Sequence, residues 1–306
     1  MILAIGEILF DQFPEYRKMG GAPFNFAYHL AKLGIPVRFI SRVGADKPGE
    51  EILRYLRSKD FPSDDMQIDP GKSTGMVNVD LAAGGEPTFH ILPDVAYDYI
   101  TYENVFESMD EDEVDLVYFG SLIQRSDKGY SNLQTFLESI KTNTKCLFDI
   151  NLRPDCINEK AVLDSLGNAD LLKLNVQEFE FLRAIFGQGM VSKQFVNHLI
   201  ERYALEMIAL TKGAEGSELF LPQGHYAIKS RRLARLSDTV GAGDAYAAIL
   251  AIGHIKKWHP KDILDTAAEF AAKICEIEGA IPQSDQFYSA FIGAQGSLIN
   301  DTQGVA

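Results

Sequence analysis

The sequence predicts an α/β fold: a doubly wound, mostly parallel sheet with helices on both faces, carrying a small β appendage. Two observations lead there. Short apolar runs alternate with stretches of helical spacing along most of the 306 residues, and strands joined through helices lie parallel and are covered on both faces. Between residues 75 and 91 that rhythm gives way to the alternation of a hairpin. In chain order, ILAI (2–5) reads as the first strand. Apolar positions from Phe24 to Leu33 recur at helical spacing and stop at Gly34. VRFISRV (37–43) reads as a strand and EEILRYL (50–56) as an amphipathic helix, so the opening is βαβα. GMVNVDLAAGGEPTFHI (75–91) follows, with Gly84-Gly85 as its turn. Strands resume at 116–120, 146–150, 171–174 and 207–211, each followed by helical spacing. With no linker, repeat or low-complexity tract, residues 1–306 read as one domain, its appended strands within about 12–20 and 75–100. The last dozen residues read as a frayed tail.

Composition narrows the function. Hydrophobic residues at 46% and charged residues at 24% are ordinary for a globular chain. The 29 Lys+Arg against 43 Asp+Glu leave a net charge of -14, a field that repels phosphate backbones and anionic bilayers. Neither nucleic acid nor membrane is expected as a partner. Cys146, Cys156 and Cys275 are few, odd in number and without C-x-x-C spacing, which argues against a disulfide framework or zinc ribbon and for a reducing compartment. The opening MILAIGEILFDQF has no basic residue and is interrupted by Glu7, and Ala245 to Ile255 is too short to span a bilayer. The cytoplasm is the expected location. The six histidines show no metal-ligand spacing. Gly44-x-x-x-x-Gly49 is followed by Glu50 and Glu51 where a phosphate-binding P-loop needs Lys and Ser/Thr, which excludes that class.

Ligands of open parallel sheets sit at the carboxyl ends of the strands. The richest segment of that kind is Asp238-Thr239-Val240-Gly241-Ala242-Gly243-Asp244, which opens the apolar helical run AYAAILAIG. Small residues there let successive backbone N–H groups converge into an anion-binding concavity. A carboxylate at its mouth is repelled by phosphate unless it has a task, and Asp244 suits proton abstraction from an attacking hydroxyl. The plainer reading is a tight turn with Asp244 in the first helical turn, favoured by the helix dipole. A dinucleotide fingerprint fits poorly, because Tyr246 stands at the third glycine position. Gly20-Gly21-Ala22-Pro23-Phe24-Asn25 precedes another helix, and Asn25 offers a donor and an acceptor to a hydroxyl unless it is merely solvated. Asn175-x-x-Glu178 reads as a capping box. Lys229, Arg231, Arg232 and Arg235 read as a solvated strand edge sooner than a phosphate-facing patch.

Taken together, these clusters resemble the two signatures of the ribokinase-like (pfkB-type) carbohydrate kinases, and most of all the fructokinases. The resemblance runs through Ala27, Gly34 and Gly44 and covers nearly the whole chain. It includes Gly6-Glu7 with Asp11, Gly44-x-Asp46-x-x-Gly49, Asp149-x-Asn151-x-Arg153, Asn175-x-x-Glu178, Thr211-x-Gly213-x-x-Gly216 and Gly279-Ala280. It implies transfer of the ATP γ-phosphoryl group to a primary hydroxyl of a small sugar, with fructose first. The alternatives are 2-keto-3-deoxygluconate, ribose or a nucleoside, or a non-catalytic sugar-binding relative. By the same resemblance Asp244 is the base, and Gly241, Ala242 and Gly243 form the anion cradle. Asp11, Gly21, Asn25 and Arg153 bind sugar, while Asn175, Glu178, Thr211, Gly213 and Gly216 border the nucleotide. Glu178 would meet Mg2+ through water, and Asp238 and Thr239 a monovalent cation, K+. The appended strands become a lid over the sugar whose free edges suit a homodimer. The sequence departs from the pattern at Ile249, where a small residue is usual, and across Ala268 to Ala272, which lacks an Asn found in some relatives. Leu92 and Pro93 stand where a lid Arg is common, which disfavours an acid sugar.

Overall fold

The computed structural model describes residues 1–81, 87–103, 105, 113–140, 143–187, 189–231 and 233–299. In chain order its strands are β1 (Ile2–Ile5), β2 (Leu9–Gln12), β3 (Arg17–Gly20), β4 (Val37–Gly44), β5 (Met66–Asp69), β6 (Gly75–Leu81), β7 (Pro87–Ile91), β8 (Leu116–Gly120), β9 (Lys145–Asp149), β10 (Leu171–Asn175), β11 (Met207–Thr211), β12 (Ser217–Leu221) and β13 (Gly224–Ile228). The helices are α1 (Ala22–Lys32), α2 (Lys47–Ser58), α3 (Asp127–Ser139), α4 (Glu159–Gly167), α5 (Val176–Phe186), α6 (Ser192–Tyr203), α7 (Ala242–Ile255), α8 (Pro260–Cys275) and α9 (Asp285–Ile299).

The large sheet has the order β13-β12-β11-β10-β9-β8-β1-β4-β5. All its pairs are parallel except those of the β12-β13 hairpin at one edge. From β1 the chain first builds outward through β4 and β5, then crosses back to lay β8 on the other side. Such a reversal opens a crevice at the carboxyl ends of the strands. Alternate residues of each strand serve opposite faces. Ile2 and Ala4 pack with Phe24, Phe26 and α7, whereas Leu3 and Ile5 pack with Leu133, Phe136 and Phe195 on the other face. Burial on both faces is why these strands are continuous apolar runs rather than alternating ones.

The small sheet is larger than the sequence suggests. Its order is β3-β2-β6-β7, with β2 parallel to β6 and both outer pairs antiparallel. It therefore begins at Leu9 rather than near residue 12, and Asp11 lies on it. It ends at Ile91 rather than residue 100, because Val95, Ala96, Tyr97 and Ile100 are buried around a 3₁₀ turn at Ala96–Tyr99. Tyr97 lies against Gly75, where an added Cβ would meet its ring at 2.4 Å. Arg125 fastens the end of β7, donating to Asp98 at 2.8 Å and to the Leu92 carbonyl at 2.7 Å. The Gly84-Gly85 turn lies outside the described residues.

The Gly44-x-Asp46-x-x-Gly49 segment is a fastening for the entry to β6. Asp46 caps α2 by accepting from the Gly49 amide at 2.9 Å, and it accepts from the Thr74 amide and hydroxyl at 2.8 and 2.6 Å. Both glycines are required by close approach: a Cβ on Gly44 would sit 2.5 Å from the Lys72 carbonyl oxygen, and one on Gly49 would sit 2.1 Å from that of Gly44.

Two further expectations need correction. The C-terminal stretch is helical to Ile299 apart from a kink at Gln295, because Tyr288, Phe291 and Ile299 bury against the core and Tyr288 meets His29 at 3.0 Å; residues 300–306 lie outside the described residues. The basic stretch follows the edge strand β13 instead of forming it, and Arg231 faces Asp265 at 3.6 Å, with Arg232 outside the described residues.

Candidate active site

Two helices that pack on each other, α1 and α7, begin at the crevice. Gly21 precedes α1 with φ 117°, and a Cβ there would lie 2.4 Å from the Glu7 carbonyl oxygen, so only glycine lets the chain turn into the helix. One turn on, Asn25 is buried and donates from Nδ2 to Asp244 Oδ2 at 2.8 Å. Its Oδ1 has no hydrogen-bond partner among the described residues. Gly241 precedes α7 with φ 79°, and a Cβ there would lie 2.3 Å from that of Ala280. This places Gly243 and Asp244 in the first helical turn. The Ala242 amide turns back to the Thr239 carbonyl at a long 3.3 Å. Among the described residues, the amides of Gly241 and Gly243 make no backbone hydrogen bond, as expected of first-turn donors. The cradle is thus led by the two glycines, with Ala242 partly committed.

Asp244 is buried, and burial pushes its carboxyl up to about 6, against the pull of Lys173, the Asn25 hydrogen bond and Arg153. A carboxylate in that range is ionised at neutral pH yet basic enough to accept a proton usefully. Beneath it lies a buried ion pair: Lys173 Nζ donates to both oxygens of Asp149, at 3.0 and 2.9 Å, and the Tyr118 hydroxyl donates to Asp149 at 3.2 Å. Lys173 Nζ would stand 3.1 Å from a Cβ on Gly243, directly against the cradle. Glu7 is also buried, which pushes its carboxyl up to about 7 although it accepts from its own amide and that of Ala22 and feels Arg153. Asp11 is half-buried, and its pKa is raised by burial against the fields of Arg153 and Lys18. Arg153 is exposed, donates to its neighbour's carbonyl at 3.3 Å, and forms no ion pair within 4.0 Å among the described residues. Three carboxyl groups therefore look toward a guanidinium that none of them holds.

Farther along the same edge, Asn175 and Glu178 form the reciprocal cap of α5, at 2.9 and 2.7 Å. The second oxygen of Glu178 accepts from the Leu152 amide at 3.0 Å. Thr211 pairs in register with Asn175. Gly213 and Gly216 shape the tight turn between β11 and β12, and Gly216 is fixed by packing, since a Cβ would meet the Ile228 carbonyl oxygen at 1.9 Å. Asp238 accepts from the amides of Val240 at 3.1 Å and Gly279 at 3.2 Å, stapling the loop before α7 to the turn that supports Gly241.

The family model for the pfkB family of carbohydrate kinases matches residues 15–286. The chain belongs to that family. It is 30% identical over 273 residues to an uncharacterised sugar kinase, PH1459, of Pyrococcus horikoshii, covering 84% of this chain and 83% of the relative. A structure of PH1459 with ATP superposes with a TM-score of 0.75 at 28% identity, covering 92% of this chain and 94% of that one. The fructokinase of Salmonella typhimurium is 27% identical over 92% of both chains. The 5-dehydro-2-deoxygluconokinase of Listeria monocytogenes serotype 4a is 25% identical, over 90% of this chain and 87% of the relative. As a pfkB carbohydrate kinase, the protein is a phosphotransferase acting on sugar hydroxyls.

Within this pfkB kinase the structure brings Asn25 and Asp244 together through a hydrogen bond beside Gly243, with Arg153 in the field of both Asp244 and Asp11. Asn175, Glu178 and Thr211 line the adjoining strand ends. Sequence reasoning missed Lys173 altogether and gave Glu7 no task. The signals were present: a lysine inside the apolar strand LLKLN and a glutamate inside the first apolar run each demand a buried partner. No group of three His, Cys, Asp or Glu side chains among the described residues could hold a metal directly. Mg2+ commonly keeps its waters and binds through one or two carboxylates and the substrate's phosphates. Glu178 fits this use, being buried beside Asn175 at the strand ends with each oxygen steadied by one amide.

Proposed function

We propose that the protein is an ATP-dependent fructokinase. Catalysis rests on one observation: the buried Asn25–Asp244 hydrogen bond, which joins a sugar-side amide to a carboxylate in the first turn of a helix where the Gly241 and Gly243 amides make no backbone hydrogen bond among the described residues. In this reading the Asn25 Oδ1 accepts from a sugar hydroxyl, since leaving a buried oxygen unpaired costs about 1–3 kcal/mol. Asp244 takes the proton of the attacking primary hydroxyl, and the Gly241 and Gly243 amides receive the γ-phosphoryl oxygens, aided by Ala242. Mg2+, when bound, neutralises phosphate charge. Glu178 would hold it through water, Asn175, Thr211, Gly213 and Gly216 border the nucleotide, and Asp11, Gly21 and Arg153 complete the sugar site. K+ would lie among carbonyls near Asp238 and Thr239, on the stapled loop. The small sheet serves as a lid and, through its edges, as a homodimer contact. We place the enzyme in the cytoplasm, consistent with its three free cysteines; no helix among the described residues is long and apolar enough to cross a membrane.

Fructose is favoured because the site offers neutral-hydroxyl partners and Leu92-Pro93 supply no lid cation. One observation favours a second reading: Arg153, with no ion pair of its own among the described residues, suits the carboxylate of an acid sugar such as 5-dehydro-2-deoxygluconate or 2-keto-3-deoxygluconate. An ADP-release assay comparing kcat/KM for fructose, ribose and both acid sugars separates them. Fructose should lead. A tenfold advantage for an acid sugar, worth about 1.4 kcal/mol of transition-state binding, would replace the fructokinase reading and make Arg153 the specificity residue.

A further inference from the structure

Lys173 is a deeply buried lysine at the site, and with its partner Asp149 it is a charged pair that the mechanism does not yet use. Its side chain is 8% exposed and that of Asp149 is 0% exposed. Its flanking residues, Leu172 and Leu174, belong to the apolar core. An ion pair in such a place is weak evidence for stability, because well-packed apolar residues of similar volume commonly do as well or better. What distinguishes this pair is what it lies against. The ammonium touches the position that a side chain on Gly243 would occupy, at 3.1 Å, so glycine is what allows the cation to approach the cradle backbone. The hydrogen bonds of Nζ to the two oxygens of Asp149 fix its position without consuming all three of its protons.

We propose that Lys173 is a positioning residue for phosphoryl transfer: clamped by Asp149 against Gly243, it holds a fixed positive charge behind the cradle backbone that adds to the pull of the cradle amides on the transferred group. The proposal rests on the reading of Asp244 as the base. Its electrostatic side agrees with the geometry, for among the groups acting on Asp244 Lys173 is the foremost that favours the charged form. The other groups facing Asp244 are Asn25 on α1, Glu7 after β1, Tyr118 on β8, Asp149 at the end of β9 and Arg153 just beyond it. Asn25 and Arg153 also favour the carboxylate, while Asp149 disfavours it.

The experiment is the pH profile of kcat/KM for the wild type, D244N, K173R, D149N and the neutral pair K173Q/D149N, each checked for folding by circular dichroism. The wild-type acid limb should fall near pH 6, where Asp244 titrates. In K173Q/D149N it should move up by about one pH unit, so that the loss at pH 6 exceeds the loss at pH 9 by about fivefold. K173R should keep the wild-type limb, and D149N alone should move it down, since the disfavouring charge is gone and the cation remains. A folded K173Q/D149N with an unmoved limb would overturn the proposal, as would a D149N limb shifted upward if the double variant does not fold. D244N separates the two readings. If it is inactive while the other limbs stay fixed, only Lys173 loses its role; if it retains activity, the base assignment itself falls.

Discussion

Asp244→Asn should make the protein less active and more stable at once. The variant keeps the side-chain shape and an oxygen that can accept from Asn25 Nδ2, so the interaction that joins α1 to α7 survives. What disappears is an ionisable group that burial raises from 3.8 to about 6. A folded-state pKa above the unfolded value means that the stabilisation is complete below pH 3.8 and is lost as pH rises through 6. A shift of that size corresponds to about 3 kcal/mol, an upper figure because neighbouring groups relax. Urea denaturation should therefore find D244N more stable by up to about 3 kcal/mol at pH 8, with the advantage shrinking toward pH 4. Over the same range kcat should fall by about 10²- to 10⁴-fold, the usual contribution of a general base. Retention of more than a tenth of the activity would remove Asp244 from the base role. Equal or lower stability at pH 8 would show that the carboxylate is not held at a cost.

Glu7→Gln should behave likewise in stability. With its carboxyl raised from 4.5 to about 7 by burial, the gain is about 3 kcal/mol above pH 7 and vanishes near pH 4.5; a pH-independent difference in urea melts would refute it. Combining E7Q with D244N should give less than the sum of the two gains, because each carboxyl lies in the other's field. Gly241→Ala should cost about 1–2 kcal/mol through its left-handed φ and lower kcat by about 10²-fold by displacing the cradle amides. Adding Ala280→Gly, which removes only the 2.3 Å contact, should leave most of that loss, and full recovery would refute the backbone argument. Light scattering at micromolar concentration should give a dimer that Phe89→Asp dissociates, since Phe89 is 50% exposed on the small sheet; a wild-type monomer would refute the dimer. Rates should rise with K+ at constant ionic strength, and equal rates without it would exclude the cation from the loop at Asp238.

The sequence by itself determined the parallel sheet, the family and the two glycine-led helix starts, because each is written locally. Strands buried on both faces are uninterrupted apolar runs, and Gly21 and Gly241 carry backbone angles of 117° and 79° that side chains resist. The cap of α5 was legible for the same reason, as Asn175 and Glu178 are three residues apart. Only the tertiary structure decided what depends on distant segments meeting. Asn25 and Asp244 are 219 residues apart and share a hydrogen bond because α1 and α7 pack together. The second sheet takes in β2, ahead of the strands expected from residue 12 on, because Leu9–Gln12 pairs with Gly75–Asn78, a register that no local pattern announces. Lys173 shows the limit most clearly. As a letter it is one charge in an apolar strand, and its place beneath Gly243 exists only once β9, β10 and α7 are assembled, when the low dielectric between them makes a single ammonium matter to the carboxylate nearby.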